Sequence, residues 1–156
     1  MSTLPTSPRL LIVDDDPITV RFLSTRFVQL GFEVETATDG LSGLVMAGRR
    51  TPDLLITDVQ MPKVDGLSLA RTLVRNGGER MLTIVISGYD DPQVRAFCRE
   101  INAAFARKGA NFWAEIAAPL AAAFPALAGR LGEPKAAPPP AKRFTRYRVE
   151  GGPGSQ

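Results

Sequence analysis

Two apolar runs in this chain are continuous rather than alternating, and each of them ends in polar residues. LLIV at 10–13 leads into three aspartates, and TIVI at 83–86 leads into a serine. A strand without polar alternation has both faces buried, which is typical of a parallel sheet covered by helices. The two runs therefore predict buried parallel strands, and they raise the question of why one of them should end in three adjacent carboxylates.

Three more runs have the length of strands, FEVET at 32–36, LLIT at 54–57 and AAFA at 103–106. Amphipathic segments separate the five runs. The first segment has apolar residues at helical spacing up to a stop at Gly31, and others follow at about 40–50, 65–76, 92–101 and 111–129. Strands alternating with helices predict an α/β fold, a (βα)5 doubly wound parallel sheet. Ligands of such sheets bind beyond the carboxyl ends of the strands, where the strand order reverses.

The charge of the chain is divided unevenly. Residues 1–129 carry 13 lysines and arginines against 14 aspartates and glutamates, whereas residues 130–156 carry 6 against 2. The second stretch is also rich in proline and glycine, so we expect a flexible basic tail at 130–156, after a leader at 1–8 and one domain at 9–129. The basic balance belongs to the tail and does not indicate nucleic-acid binding by the domain.

Nothing in the sequence indicates a membrane or secreted protein. No apolar run approaches the roughly 18 residues needed to span a bilayer. The N-terminus lacks the charged start and apolar core of a signal peptide. A single cysteine, Cys98, excludes an internal disulfide and suits a reducing compartment. We therefore expect no membrane span and a cytoplasmic location.

Polar residues follow the predicted strands at the point where each strand ends. Asp14 and Asp15 follow the first strand, and Asp58 ends the third. Ser87 ends the fourth strand, and Lys108 follows the fifth. Because parallel strands have their carboxyl ends at one edge of the sheet, we expect these side chains to converge. Adjacent carboxylates repel one another unless a cation neutralises them, and Mg²⁺ suits a site of carboxylate and phosphate oxygens.

The chain contains no histidine. This excludes Ser-His and Cys-His catalytic pairs, an imidazole zinc site and a phosphohistidine within the chain. A lysine ammonium and a serine hydroxyl beside carboxylates supply charge and a hydrogen bond for a phosphoryl group. A carboxylate can itself be the nucleophile that accepts such a group.

Other residues have structural explanations. Asp16 precedes a proline and is expected to be the N-cap of the first helix. Phe112 and Trp113 open the last helix, where they either pack in the core or form a surface for a partner. Pro119 and Pro125 are expected to kink or divide that helix.

Four stretches carry a resemblance to a known family. LLIVDDDP, DLLITDVQMPKVDG, IVISGYDD and AFARKG resemble the receiver domain of two-component response regulators, which has the CheY-like, flavodoxin-like fold. The resemblance covers about residues 8–128 and implies the strand order 2-1-3-4-5. It implies a stand-alone receiver that relays phosphate or switches the binding of a partner. Such a protein is not an enzyme beyond its own phosphorylation and dephosphorylation.

The resemblance also assigns roles to the residues at the strand ends. Asp58 is implied to be the phosphoacceptor. Asp14 and Asp15 are implied to hold Mg²⁺ together with Asp58 and the backbone carbonyl of Gln60.

Further roles concern the phosphoryl group itself. Ser87 and Lys108 are implied to bind it, and Gln60 and Tyr89 match variable positions that tune how fast it is lost. Phe105, three residues before the lysine, matches an aromatic residue that turns inward on activation. The alternative for Phe105 is a permanently buried core residue.

The chain departs from the family at one bond. The family usually has a proline with a cis bond after the lysine, whereas this chain has Lys108-Gly109. A cis bond before a residue other than proline costs roughly 2.5–4 kcal/mol, so we predict a trans bond, made possible by the freedom of glycine in φ.

The partners follow from the same resemblance. A chain without histidine must receive its phosphoryl group from a separate protein, a sensor histidine kinase or a phosphotransfer protein. The downstream partner is unknown, no DNA-binding domain is expected, and a homodimer through the last strand and helices is left open.

Two alternative functions are considered. One is a pseudo-receiver, a protein-interaction module that keeps the fold without phosphorylation. The other is a phosphatase of the haloacid dehalogenase type, whose DxDx[TV] pattern is absent from DDDPI at 14–18. The KRFTRYR stretch at 142–148 is a solvated basic tail, a contact for an anionic partner or the start of a truncated second domain, and it is loosely similar to the start of a PilZ domain.

Overall fold

The computed structural model describes residues 7–61, 63–76 and 80–132. Its strands form one parallel sheet in the order β2-β1-β3-β4-β5, which confirms the predicted fold class and strand order. The strands are β1 (Arg9–Val13), β2 (Glu33–Ala37), β3 (Leu54–Asp58), β4 (Leu82–Ser87) and β5 (Ala104–Arg107).

A helix follows each strand. The helices are α1 (Pro17–Gln29), α2 (Gly40–Arg49), α3 (Gly66–Arg75), α4 (Pro92–Glu100) and α5 (Phe112–Ala123), and a 3₁₀ helix follows at Pro125–Arg130. Four of them begin at an aspartate whose side chain accepts a backbone N–H of the first turn, namely Asp16, Asp39, Asp65 and Asp91. Carboxylates in this position also complement the positive end of the helix dipole. In the described part of the chain no helix has the length and apolarity required to cross a membrane.

The sheet separates two apolar layers. Leu10 and Ile12 of β1 pack in a cluster with α1 and α5, whereas Leu11 and Val13 pack in a second cluster with α2 and α3. All residues of β1 and β3 are buried. The continuous apolar runs are therefore explained, because each successive side chain of a central strand enters one or the other layer.

The last helix shows how the two aromatic residues and the two prolines are used. Phe112 and Trp113 are buried in the α1–α5 layer, which confirms core packing rather than a partner surface. Pro125 divides the predicted helix, because α5 ends at Ala123 and the 3₁₀ helix begins at Pro125. Pro119 lies inside α5 and does not divide it, so Pro125 alone has the predicted dividing effect, and a kink at Pro119 stays a prediction. The buried face of α5 holds the helix together across the one backbone hydrogen bond that proline removes.

The packed part of the chain extends past residue 129. The guanidinium of Arg130 donates to the backbone carbonyl oxygens of Gln29 (2.8 Å) and Leu30 (3.3 Å), and Leu131 packs against the α1–α5 layer. The contact also places a cation at the negative end of α1. Most of the predicted tail, 133–156 with its KRFTRYR stretch, and residues 1–6 of the predicted leader lie outside the described residues.

One close approach fixes the start of α3 against the end of β3. A Cβ atom placed on Gly66 would lie 1.7 Å from the backbone oxygen of Asp58 and 2.9 Å from the hydroxyl of Thr57. The Gly66 N–H donates to the carbonyl oxygen of Val59 at 3.1 Å. Only glycine allows this contact, so it helps to set the position of Asp58.

We predict that a chain ending at residue 129 is less stable than one ending at 132. The shorter chain loses the Arg130 and Leu131 contacts, worth about 1–2 kcal/mol together, or roughly 4–10 °C in Tm. Thermal unfolding followed by circular dichroism measures the difference. The chain ending at 132 is the control and should melt within a few degrees of the full chain, because the composition of 133–156 offers little apolar surface. Unfolding of this control would instead make the remaining tail part of the domain.

We also predict that Gly66→Ala destabilises the protein by about 3 kcal/mol or more, because the added methyl group overlaps backbone atoms. The matched control is Gly48→Ala in the exposed part of α2, where a Cβ meets no atom within 4 Å. This control should gain roughly 0.5–1 kcal/mol from helix propensity. Urea unfolding of both variants tests the close approach, and equal stabilities would contradict it.

Candidate functional site

Three aspartates converge at the carboxyl edge of the sheet. Asp14 and Asp15 directly follow β1, and Asp58 is the last residue of β3, the neighbouring strand. One carboxylate oxygen from each lies within 4.8 Å of the others. Asp14 and Asp58 are buried, whereas Asp15 is exposed, so the cluster reaches the surface through Asp15.

A buried lysine completes this cluster. The Lys108 ammonium nitrogen lies 2.7 Å from Oδ2 of Asp14 and 3.5 Å from Oδ1 of Asp58. Its side chain is fully buried, and its backbone N–H donates to the carbonyl oxygen of Ser87 at 2.8 Å. A buried charge is tolerated when it is paired. The carboxyl end of β5 therefore joins those of β1 and β3 in one site, as the sequence predicted.

The peptide bond after Lys108 has the predicted geometry. No peptide bond within the described ranges is cis, so the bond between Lys108 and Gly109 is trans, which confirms the prediction. The proposed reason is wrong, because the φ angle of Gly109 is not in the left-handed region that favours glycine. The chain thus positions the lysine without using the special freedom of the residue after it.

The first and third of the consecutive aspartates have different partners. Oδ1 of Asp14 accepts the backbone N–H of Asp16 at 2.9 Å, which fixes the orientation of this buried carboxylate. Asp16 caps α1, with Oδ1 accepting the N–H of Ile18 and Oδ2 the hydroxyl of Thr19. The prediction that Asp16 is a cap and that the first two aspartates serve another purpose is therefore consistent with these contacts. At the end of β3, Oδ1 of Asp58 accepts the N–H of Val59 at 3.0 Å.

Ser87 ends β4 beside this cluster. The β3–β4 register pairs Asp58 with Ile86, the residue before Ser87. The Ser87 hydroxyl oxygen accepts the backbone N–H of Tyr89 at 3.1 Å. A pocket of about 250 Å³ opens next to it, and its lining residues are Val59, Gln60, Ser87, Tyr89, Asp90, Asp91 and Val94. Gln60 and Tyr89, for which a rate-tuning role was predicted, thus line one pocket with the serine.

Phe105 lies on β5 and is half-buried. Its ring packs against a small apolar cluster that includes Val59 and Val94, so it is not the fully buried core residue of the alternative interpretation. The guanidinium carbon of Arg95 lies 4.5 Å from the centre of the ring, within the range of a cation–π contact.

Arg95 makes two contacts that were not predicted from the sequence. Its Nε donates to Oδ1 of Asp90 at 2.5 Å. This hydrogen bond lowers the pKa of Asp90 and raises the pKa of Arg95. The spacing of five residues across the start of α4 gave no recognisable pattern, because the contact depends on the conformation of the loop that precedes the helix.

The donor set of the cluster fits a hard divalent cation. Three carboxylates offer oxygen ligands within a few ångströms of one another, and two of them are held in place by backbone N–H donors. The three carboxylates and Lys108 together carry a formal charge of −2. Asp14, Asp15 and Asp58 therefore form a site that could hold a metal ion.

The chain is similar to known proteins in sequence. A family model described as the response regulator receiver domain matches residues 10–106. The transcriptional activator protein PfeR of Pseudomonas aeruginosa is 37% identical over 93 residues, which cover 60% of this chain and 30% of PfeR. The response regulator PleD of Caulobacter vibrioides is 39% identical over 80 residues, which cover 51% of this chain and 18% of PleD. The chain thus spans less than a third of these two relatives.

Solved structures give the same result. The CheX-CheY-BeF3-Mg+2 complex from Borrelia burgdorferi matches with a TM-score of 0.65 and 27% identity, covering 74% of this chain and 88% of the other. A signal receiver domain from Pseudomonas fluorescens matches with a TM-score of 0.70 and 20% identity, covering 83% of this chain and 96% of the other, which supports the fold alone. Together with the family match, these findings show that the chain belongs to the response regulator receiver domain family.

Proposed function

We propose that this chain is a phosphoacceptor receiver in which Asp58 takes a phosphoryl group from the phosphohistidine of a partner protein. One observation carries the proposal, the Lys108 ammonium lying between two of three clustered carboxylates. The cluster supplies a nucleophile, a cation site and a positive charge for a phosphoryl group. The absence of histidine from the sequence supports a separate donor, a sensor histidine kinase or a phosphotransfer protein.

The proposed transfer forms one bond and breaks another. A carboxylate oxygen of Asp58 attacks the phosphorus atom, and the phosphorus–nitrogen bond of the phosphohistidine breaks. Its electron pair stays on the imidazole nitrogen, which takes up a proton, and the product is an acyl phosphate. The buried position of Asp58 and its hydrogen bond from the Val59 N–H hold the carboxylate ready for this attack.

Mg²⁺ is the cation that we propose for the site. Asp14, Asp15, Asp58 and the backbone carbonyl of Gln60 would hold it, and the bound ion supplies positive charge that reduces repulsion between carboxylates and phosphoryl oxygens. The Borrelia burgdorferi complex, which contains Mg+2, supports this choice.

Two side chains are proposed to bind the phosphoryl group after transfer. The Lys108 ammonium would exchange part of its contact with Asp14 and Asp58 for phosphoryl oxygens. The Ser87 hydroxyl, whose oxygen accepts the N–H of Tyr89, would donate its own proton to the group, and its movement toward the group would shift the acceptor of the Tyr89 N–H. Phosphorylation would thereby alter the loop that begins at Ser87, which is how we propose that the domain switches the binding of a downstream partner.

We predict that Asp58→Asn abolishes phosphorylation, because a neutral amide lacks the nucleophilic carboxylate oxygen. The full chain incubated with Mg²⁺ and acetyl phosphate should gain one phosphoryl unit by intact mass, and a chelator should prevent the gain. Asp16→Asn is the matched control. It changes the charge beside the acidic pair while asparagine still caps the helix, so it should be labelled like the unmodified chain.

Two outcomes would contradict this assignment. Equal labelling of Asp58→Asn would place the acceptor elsewhere. No labelling of the unmodified chain by acetyl phosphate or by a phosphorylated kinase would favour the alternative of a pseudo-receiver.

We further predict that Asp15→Asn weakens Mg²⁺ binding by at least about tenfold in calorimetry, because it removes a charged oxygen ligand. The same variant should melt slightly higher without Mg²⁺, since it relieves carboxylate repulsion. Asp53→Asn is the control, because Asp53 precedes β3 at the opposite end of the sheet and accepts the N–H of Arg9. Unchanged Mg²⁺ affinity in Asp15→Asn would remove Asp15 from the proposed ligand set.

A further inference from the structure

An ion pair lies over the ring of Phe105. Arg95 on α4 donates to Asp90 in the preceding loop at 2.5 Å, and its guanidinium lies 4.5 Å from the centre of the Phe105 ring. Asp90 and Arg95 are 52% and 39% exposed in their side chains. Arg107 and Glu115 act on the pair through their charges, Arg107 on Asp90 and Glu115 on Arg95. The pair is thus a surface contact that covers a half-buried aromatic ring.

The ion pair is connected to the phosphorylation site through one short loop. The Ser87 hydroxyl accepts the N–H of Tyr89, and Asp90 is the next residue. Ser87, Tyr89 and Asp90 also line the same pocket. On the other side, Phe105 pairs with Val85 in the β4–β5 register and packs with Val59 and Val94. A movement of the loop at Ser87 would therefore change the position of Asp90 relative to Arg95.

We propose that Arg95 is a positioning residue that, through its ion pair with Asp90, holds Phe105 in its half-exposed position and so restrains the change that accompanies phosphorylation. The inference rests on the proposed function, because it concerns how phosphorylation at Asp58 is transmitted. When the Ser87 hydroxyl moves toward a phosphoryl group, the acceptor of the Tyr89 N–H moves with it, and the loop carrying Asp90 shifts. Arg95 then loses its partner, and Phe105 loses the cation that covers its ring.

The size of the effect follows from the exposure of the pair. A contact present in only one of two conformations shifts their populations by its own free energy. Loss of an exposed ion pair changes the ratio of the two populations by up to about fivefold, and loss of a cation–π contact of an exposed arginine changes it by a similar factor. Breaking the contact raises the fraction of molecules in the conformation that accepts a phosphoryl group, and the rate of phosphorylation by a small donor rises with that fraction.

The test compares Asp90→Asn, Arg95→Gln and the double variant, with acetyl phosphate and Mg²⁺ as the probe. Each single variant should be phosphorylated about three- to tenfold faster than the unmodified chain, and the double variant no faster than the faster single variant. The difference in rate between Asp90→Asn and the unmodified chain should become smaller in about 1 M salt, where the Debye length is near 3 Å. Melting temperatures should change by only a few degrees, since both side chains are substantially exposed.

Arg71→Gln is the matched control. Its guanidinium lies 4.5 Å from the centre of the Phe97 ring, the same geometry on neighbouring helices. It should leave the phosphorylation rate unchanged. Unchanged rates in Asp90→Asn and Arg95→Gln, or effects that multiply in the double variant, would overturn the proposal.

A second measurement separates this proposal from the proposed function. Chemical shifts of the Phe105 ring, measured without phosphodonor, should move in Asp90→Asn and Arg95→Gln but not in Arg71→Gln. If the ring does not respond, the proposal is overturned, whatever the labelling. If the ring responds and the chain is phosphorylated at an unchanged rate, the contact exists without restraining the switch, and the proposal is also wrong. If no variant and no unmodified chain is labelled, the proposed function fails, and the proposed restraint fails with it.

Discussion

The buried ammonium of Lys108 is the interaction on which the site depends. It lies 2.7 Å from a carboxylate oxygen of Asp14 and 3.5 Å from one of Asp58, and all three side chains are almost completely buried. Removing one partner of a buried ion pair costs roughly 3–5 kcal/mol, because the remaining charge is left without compensation. Lys108 thus offsets the repulsion between the buried carboxylates of the folded domain. The same lysine is in position to bind an added phosphoryl group.

The sheet brings these residues together from distant parts of the sequence. The strand order reverses between β1 and β3, so the loops after these two strands diverge to opposite faces and leave a crevice at their carboxyl ends. Asp14 and Asp58 lie at this crevice, and the next two strands place Ser87 and Lys108 at the same edge. The close approach of Gly66 to the backbone of Asp58 fixes the loop beyond it.

The sequence was sufficient for the features that follow from strand ends and helix starts. Continuous apolar runs indicated the central strands, and the residue after each run indicated the site, because parallel strands must end at one edge. Contacts between side chains of different elements could not be predicted in this way. The stacking of Arg95 on Phe105 and the contact of Arg130 with the end of α1 depend on side-chain paths that leave no periodic pattern. Pro119 does not divide α5, because burial of this helix outweighs the local preference of one residue.

The central claim is that Asp58 carries the phosphoryl group as an acyl phosphate, and chemical trapping tests it most directly. Borohydride reduces an acyl phosphate of aspartate to homoserine, which marks the modified residue permanently. After phosphorylation of the full chain with Mg²⁺ present, reduction and peptide mapping by mass spectrometry should find homoserine at position 58 alone. Homoserine at position 14 or 15, or a phosphorylated chain that contains none, would contradict the account.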